Sequence, residues 1–137
     1  MKSTLKWTGN RSFEGETEDG FRVALGQGTE DSPKPGPGAM ELVLMGAGGC
    51  STFDVVGILE KSRQDIDDVI VEMEADRATE VPKVFTRIHM HFVVKGRGVD
   101  PARVERAIAL SVEKYCSATR MLESTAEVTH DFEVIEL

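Results

Sequence analysis

The chain has 137 residues, 40% of them hydrophobic and 29% charged, a size and mix that suit one soluble domain with its own core. Its formal net charge is -8 with no basic cluster, which argues against nucleic acid, whose phosphates need a positive stripe, and against an anionic membrane surface. Cys50 and Cys116 are the only cysteines, and the N-terminus MKSTLKWTGN has no apolar leader; the cytoplasm is the expected compartment, where a permanent structural disulfide is disfavoured.

In chain order, STLKWTG and RSFEGET each read as a short strand, with a turn near Gly9 and Asn10. GFRVALG reads as a third strand, with Phe21, Val23 and Leu25 on one face. The prolines and glycines of QGTEDSPKPGPG break regular structure, so this stretch is a loop. A helix is predicted from Ala39 to Ser62, with Gly38 as N-cap and Glu41 in the first turn, where a carboxylate suits the helix dipole. Its segment MELVLMGAGGCSTFDVVGILEK is nearly long enough to cross a bilayer, about 20 residues. Glu41 and Asp54 lie inside it and no positive flank marks an orientation, so it reads as a buried core helix.

Two long half-buried strands follow, joined through ATEVPK. One places Val69, Val71, Met73 and Ala75 on one face, the other Ile88, Met90, Phe92 and Val94. VDPARVERAIALSVEKYC is a marked helix, with Asp100 as cap and Pro101 in the first position. Val104, Ala107, Ile108, Ser111, Val112 and Tyr115 line one side of it, and SATRML adds a further turn or two. In the closing strand, Val128, His130, Phe132 and Val134 alternate with Thr129, Asp131, Glu133 and Ile135. The order β-β-β-α-β-β-α-β is an α+β plan in a single domain, residues 1–137. The small N-terminal sheet cannot bury a whole face of the apolar helix, so a homodimer is expected.

Gly46, Gly48 and Gly49 stand just before Cys50. Each glycine in a helix interior costs about 1 kcal/mol relative to alanine, so close packing, a kink, or approach of a substrate or partner chain must offset them. A kink at Gly48 and Gly49 would leave free amides near the sulfur and lower its pKa. Cys50 is thus either a small core residue or a reactive thiol, and Cys116 either core filler or its resolving partner. His89 and His91, two apart on a strand, could join the cysteines around zinc, but no CxxC or HExxH supports this, and a polar face shared with Arg87 is preferred. Asp54, four residues after Cys50, reads as a carboxylate paired with an arginine or a backbone donor. His130 receives no role, and the GRG turn at Gly96 to Gly98 is too short for a phosphate loop.

LVLMGAGGCSTFDVVGIL, followed far downstream by YCSATRMLESTAEVTH, resembles the OsmC/Ohr superfamily of thiol-dependent hydroperoxide reductases, and within it the small OsmC-like branch of the YhfA type. The resemblance runs from Trp7 to the C-terminus. It implies an OsmC-like fold in an intertwined homodimer, with the cysteine helices central and the active sites at the subunit interface; no cofactor or metal is expected. It also implies that Cys50 attacks an organic hydroperoxide, that Cys116 closes a disulfide, and that a dithiol reductant reopens it. An arginine supports the thiolate in this family and a glutamate holds the arginine. Arg11 and Arg22 are the candidates for the first. The glutamate lies ten residues before the first cysteine in the peroxidase branches; here that position is Met40, and Glu41 follows it. One position turns a side chain about 100° around a helix. The resemblance therefore leaves an alternative: a weakly active or non-catalytic protein on the same scaffold, binding an apolar small molecule or sensing redox state.

Overall fold

The computed structural model describes all 137 residues, which form two compact units, Met1–Val43 and Leu44–Leu137. The first holds β1 (Ser3–Gly9), β2 (Ser12–Thr17) and β3 (Arg22–Gly26), an antiparallel sheet in that order. Positive φ angles at Gly9 and Asn10 make the tight turn between β1 and β2, and the Trp7 indole N–H donates to the Asn10 carbonyl at 2.8 Å. Trp7 faces Phe13 and Phe13 faces Leu25 across the strands. Phe21, assigned by its alternation to one face of the third strand, precedes β3 and is exposed. The loop after β3 runs close against it: a Cβ on Gly36 would stand 2.2 Å from the Ala24 carbonyl oxygen.

Helix α1 runs from Ala39 to Lys61 without interruption. The second unit continues with β4 (Asp65–Arg77), β5 (Phe85–Arg97), α2 (Pro101–Leu110), α3 (Ser117–Leu122) and β6 (Glu127–Glu136). Its sheet order is β4-β5-β6. β4 and β5 pair antiparallel and β6 lies parallel to β5. A parallel neighbour requires a crossover, which α2 and α3 supply. The α+β plan and the two three-stranded sheets thus agree with the expected element order.

The core of this unit is built on β5, the central strand. Ile88, Met90, Phe92 and Val94 are all fully buried, as their alternation predicts. Val104, Ala107 and Ile108 of α2 and Ala47, Val55 and Leu59 of α1 are buried with them. The buried positions of α1, Ala47, Ser51, Val55 and Leu59, recur every fourth residue, one ridge of the helix. Gly48 is buried beside them and leaves no room for a side chain, since a Cβ there would come within 2.5 Å of the Met73 thioether on β4.

Of the alternatives for the glycines, close packing holds at Gly48, and the i to i−4 ladder of α1 continues through Gly48 and Gly49, so no free amides are left at Cys50. One expectation is corrected. The second helix does not run regularly to Cys116. It leaves α geometry after Leu110 for a single π turn, Ser111–Tyr115, closed by the Cys116 N–H on the Ser111 carbonyl at 2.8 Å. The wider turn moves side chains out of phase with the α stripe, so Tyr115 is 52% exposed rather than part of the buried side.

Candidate redox-active thiol site

Cys50 and Cys116 are both free thiols, Cys50 half-buried on α1 and Cys116 only 1% exposed. The chain reaches Cys116 through the π turn, then takes an extended conformation at that residue, which serves as N-cap of α3. The sulfur is thereby delivered to α1: the Cys116 thiol donates to the Ala47 carbonyl at 3.8 Å, on the helical turn that precedes Cys50. Thr119 approaches from the other side, with its N–H 3.4 Å and its hydroxyl 3.0 Å from the Cys116 sulfur, both as donors. Burial pushes the Cys116 thiol above its ordinary pKa, the two Thr119 donors pull it back, and the neighbouring Cys50 thiol raises it again.

A buried polar chain ties the two cysteine-bearing segments together. Ser51, next to Cys50, and Ser111, whose carbonyl holds the Cys116 N–H, are both fully buried. Their hydroxyls are 3.0 Å apart, and the Ser111 hydroxyl donates to Asp54 Oδ2 at 3.0 Å. Ser51 donating to Ser111, and Ser111 to Asp54, leaves every hydroxyl proton in a hydrogen bond. Asp54 therefore finds a serine hydroxyl, where an arginine or backbone donor was expected. The sequence placed Ser111 on the buried side of its helix but gave no role to it, to Ser51 or to Thr119, because single Ser and Thr residues carry no spacing of their own. The one available signal was Thr119 three residues after a helix-starting Cys116.

Glu41, Arg22 and Arg11 lie in the N-terminal unit. Glu41 accepts from the Gly38 N–H at 3.0 Å and from Lys34 Nζ. These contacts, the Lys34 hydrogen bond foremost, hold its carboxyl below the usual range. Arg22 pairs with Glu16 at 3.3 Å and Glu14 at 4.0 Å. Arg11 is exposed and lines a cavity of about 280 Å³ with Phe13, Leu25 and Gln27. His89 and His91 bind carboxylates of β6: His89 Nε2 lies 3.0 Å and His91 Nδ1 2.7 Å from Asp131 Oδ1. An open cavity of about 580 Å³ lies along α1 beyond Cys50, lined by Phe53, Asp54, Gly57, Ile58, Lys61, Leu110 and Tyr115. Its wall is mostly apolar, with one carboxylate and one ammonium.

Comparison with known proteins adds the following. A family model described as OsmC-like protein matches residues 28–131. The chain is 44% identical over 136 residues to Protein YhfA of Escherichia coli K12, covering 98% of each. The crystal structure of an OsmC-like protein from Mycoplasma pneumoniae superposes with TM-score 0.83 at 14% identity, covering 98% of this chain and 96% of that one. An organic hydroperoxide resistance protein OsmC from Legionella pneumophila superposes with TM-score 0.68 at 16% identity, covering 97% of each. At these identities the two structures establish the fold.

Proposed function

Because the chain belongs to the OsmC-like family, we propose that it is a thiol-dependent peroxidase that reduces organic hydroperoxides through Cys50 and Cys116. The observation that carries this reading is that the only two cysteines, far apart in sequence, meet beside one turn of α1. The Legionella structure's description as an organic hydroperoxide resistance protein supports the substrate class.

The Cys50 thiolate attacks the distal peroxide oxygen, an S–O bond forms, the O–O bond breaks, and the alkoxide leaves and is protonated to an alcohol. Cys116 then attacks the sulfenic sulfur; an S–S bond forms, the S–O bond breaks, and hydroxide leaves as water. A dithiol reductant reopens the bridge by two thiol–disulfide exchanges. Arg11, Arg22 and Glu41 are the candidates for supporting the thiolate and the leaving alkoxide.

The apolar α1 is the core helix of an OsmC-like protein. Its outward side carries Met45 and Phe53, the latter 81% exposed, and Gly46 and Gly49 have open space where a side chain would be. Large exposed apolar side chains beside unoccupied glycines support a homodimer that covers this side.

The test is turnover of cumene or tert-butyl hydroperoxide with a dithiol reductant. Turnover abolished by Cys50→Ser, with sulfenic acid accumulating in Cys116→Ser, is the expected result; turnover that survives Cys50→Ser refutes the mechanism. One observation favours a second reading: the Glu41 carboxylate is already engaged by Lys34 and Gly38. A Cys50–Cys116 disulfide that forms under mild oxidation without turnover would make the protein a redox sensor on the same scaffold. No reaction at either thiol would make it a binding protein for an apolar small molecule.

A further inference from the structure

Thr119 is fully buried, and its hydroxyl donates to a sulfur atom. A threonine in a helix ordinarily turns its hydroxyl back to a carbonyl three or four residues earlier. Here the residue three positions earlier is Cys116, and the hydroxyl meets its side chain instead, at 3.0 Å. Capping of α3 accounts for the Thr119 N–H on the sulfur, because an N-cap acceptor needs only backbone donors. It does not account for the hydroxyl. Two donors converging on one sulfur stabilise a thiolate and fix the side-chain rotamer. Burial and the adjacent Cys50 thiol both oppose charge on that sulfur, so the donors act where charge is otherwise costly.

We propose that Thr119 activates Cys116 as the resolving nucleophile: its hydroxyl stabilises the thiolate that attacks Cys50 and holds the sulfur against the Ala47 turn of α1. The part that concerns Cys50 rests on the peroxidase reading. In the step concerned, Cys116 loses its proton and its electron pair forms the S–S bond with Cys50 Sγ. The S–O bond of the sulfenic acid breaks, and the departing hydroxide takes up a proton to become water. The Thr119 hydroxyl gives up no proton; its hydrogen bond strengthens as charge gathers on sulfur and weakens as the disulfide forms.

The first measurement needs no peroxide. In a Cys50→Ser background, Cys116 ionisation is followed by thiolate ultraviolet absorbance over a pH series. Thr119→Val, nearly isosteric but lacking the donor, is expected to move the midpoint to higher pH, while Thr119→Ser keeps it where Thr119 does. Thr119→Ala also lacks the donor and must act as Thr119→Val does, which keeps the test open if the valine variant folds poorly. With both cysteines present, conversion of the Cys50 sulfenic acid to disulfide after cumene hydroperoxide is followed by rapid quench and mass spectrometry. Thr119→Val is expected to slow it about tenfold at neutral pH, the worth of one hydrogen bond to a charged group, with the gap closing at alkaline pH. Donor-lacking variants that titrate together with Thr119 overturn the proposal. A chain with Thr119 that forms neither sulfenic acid nor disulfide overturns the peroxidase reading instead, and the titration still decides whether Thr119 acts on the sulfur.

Discussion

Cys116 sits where burial and hydrogen bonding pull in opposite directions, and burial is the larger effect. Its pKa lies above that of an ordinary thiol, so at neutral pH most of it is protonated and the reactive form is scarce. Disulfide closure is therefore expected to accelerate as pH rises above neutrality, levelling off only past the raised pKa. A stopped-flow series in hydroperoxide checks this; a closing rate independent of pH would mean the thiolate is already formed. The same environment has a consequence for stability. Folding favours the protonated thiol, so stability is intact below the ordinary thiol pKa, about 8.5, and declines as pH rises through the folded value. Cys50 and Cys116 were legible in the sequence as residue types in a recognisable context, and Glu41 as a helix-start carboxylate. The roles of Ser51, Ser111 and Thr119 were not: the two serines become partners only when distant segments meet, and Thr119 meets Cys116 only because α3 starts there.

Among the elements, α2 was the most readable, since its beginning is written locally. Asp100 takes an extended conformation, its Oδ1 accepts the Ala102 N–H at 2.9 Å, and Pro101 opens the helix. Asp100→Ala is expected to cost about 1 kcal/mol, the usual worth of an N-cap, measured by urea unfolding, with Asp100→Asn costing much less. The end of the helix was not readable, because the π turn answers a tertiary demand: Ser111 is locked to Ser51 and Asp54 on α1, and the backbone widens to bring Cys116 to the same helix. Ser111→Ala removes that tie and is expected to slow disulfide closure while leaving sulfenic acid formation at Cys50 intact. The pairing of β6 with β5 has its own pH signature. Asp131 and then Glu133 raise the pKa of His91, and His91 and then His89 lower that of Asp131. A raised histidine pKa contributes stability below the ordinary value, about 6.5, and that contribution is lost as pH rises through the folded pKa. A lowered Asp131 contributes above the ordinary carboxylate range and is lost in acid. Protection factors of β6 amides, with the intrinsic pH dependence of exchange divided out, should thus be highest in mildly acidic solution, and His91→Asn should remove their change near neutrality.

At the scale of the molecule, the apolar α1 buries only the ridge of Ala47, Ser51, Val55 and Leu59, with Gly48 beside it, in its own chain. Substituting Gly49 by leucine is expected to leave the monomer folded, since a Cβ there meets nothing, and to dissociate the proposed dimer, as sedimentation would show. A protein that sediments as a monomer with Gly49 in place would end that proposal. The sequence by itself determined the α+β order, the buried faces of β5 and α2, the apolar character of α1 and the identity of the two thiols. Each follows from periodicity, capping or residue type, which act over a few neighbouring positions. Only the tertiary structure decided that α1 is unbroken, that Gly48 is small for Met73, and that a π turn carries Cys116 to the Ala47 turn. It alone put Thr119 on the Cys116 sulfur. Those facts depend on which surfaces meet, α1 with β4 and with the crossover from β5 to β6, and the close packing of those meetings bends local preference to fit.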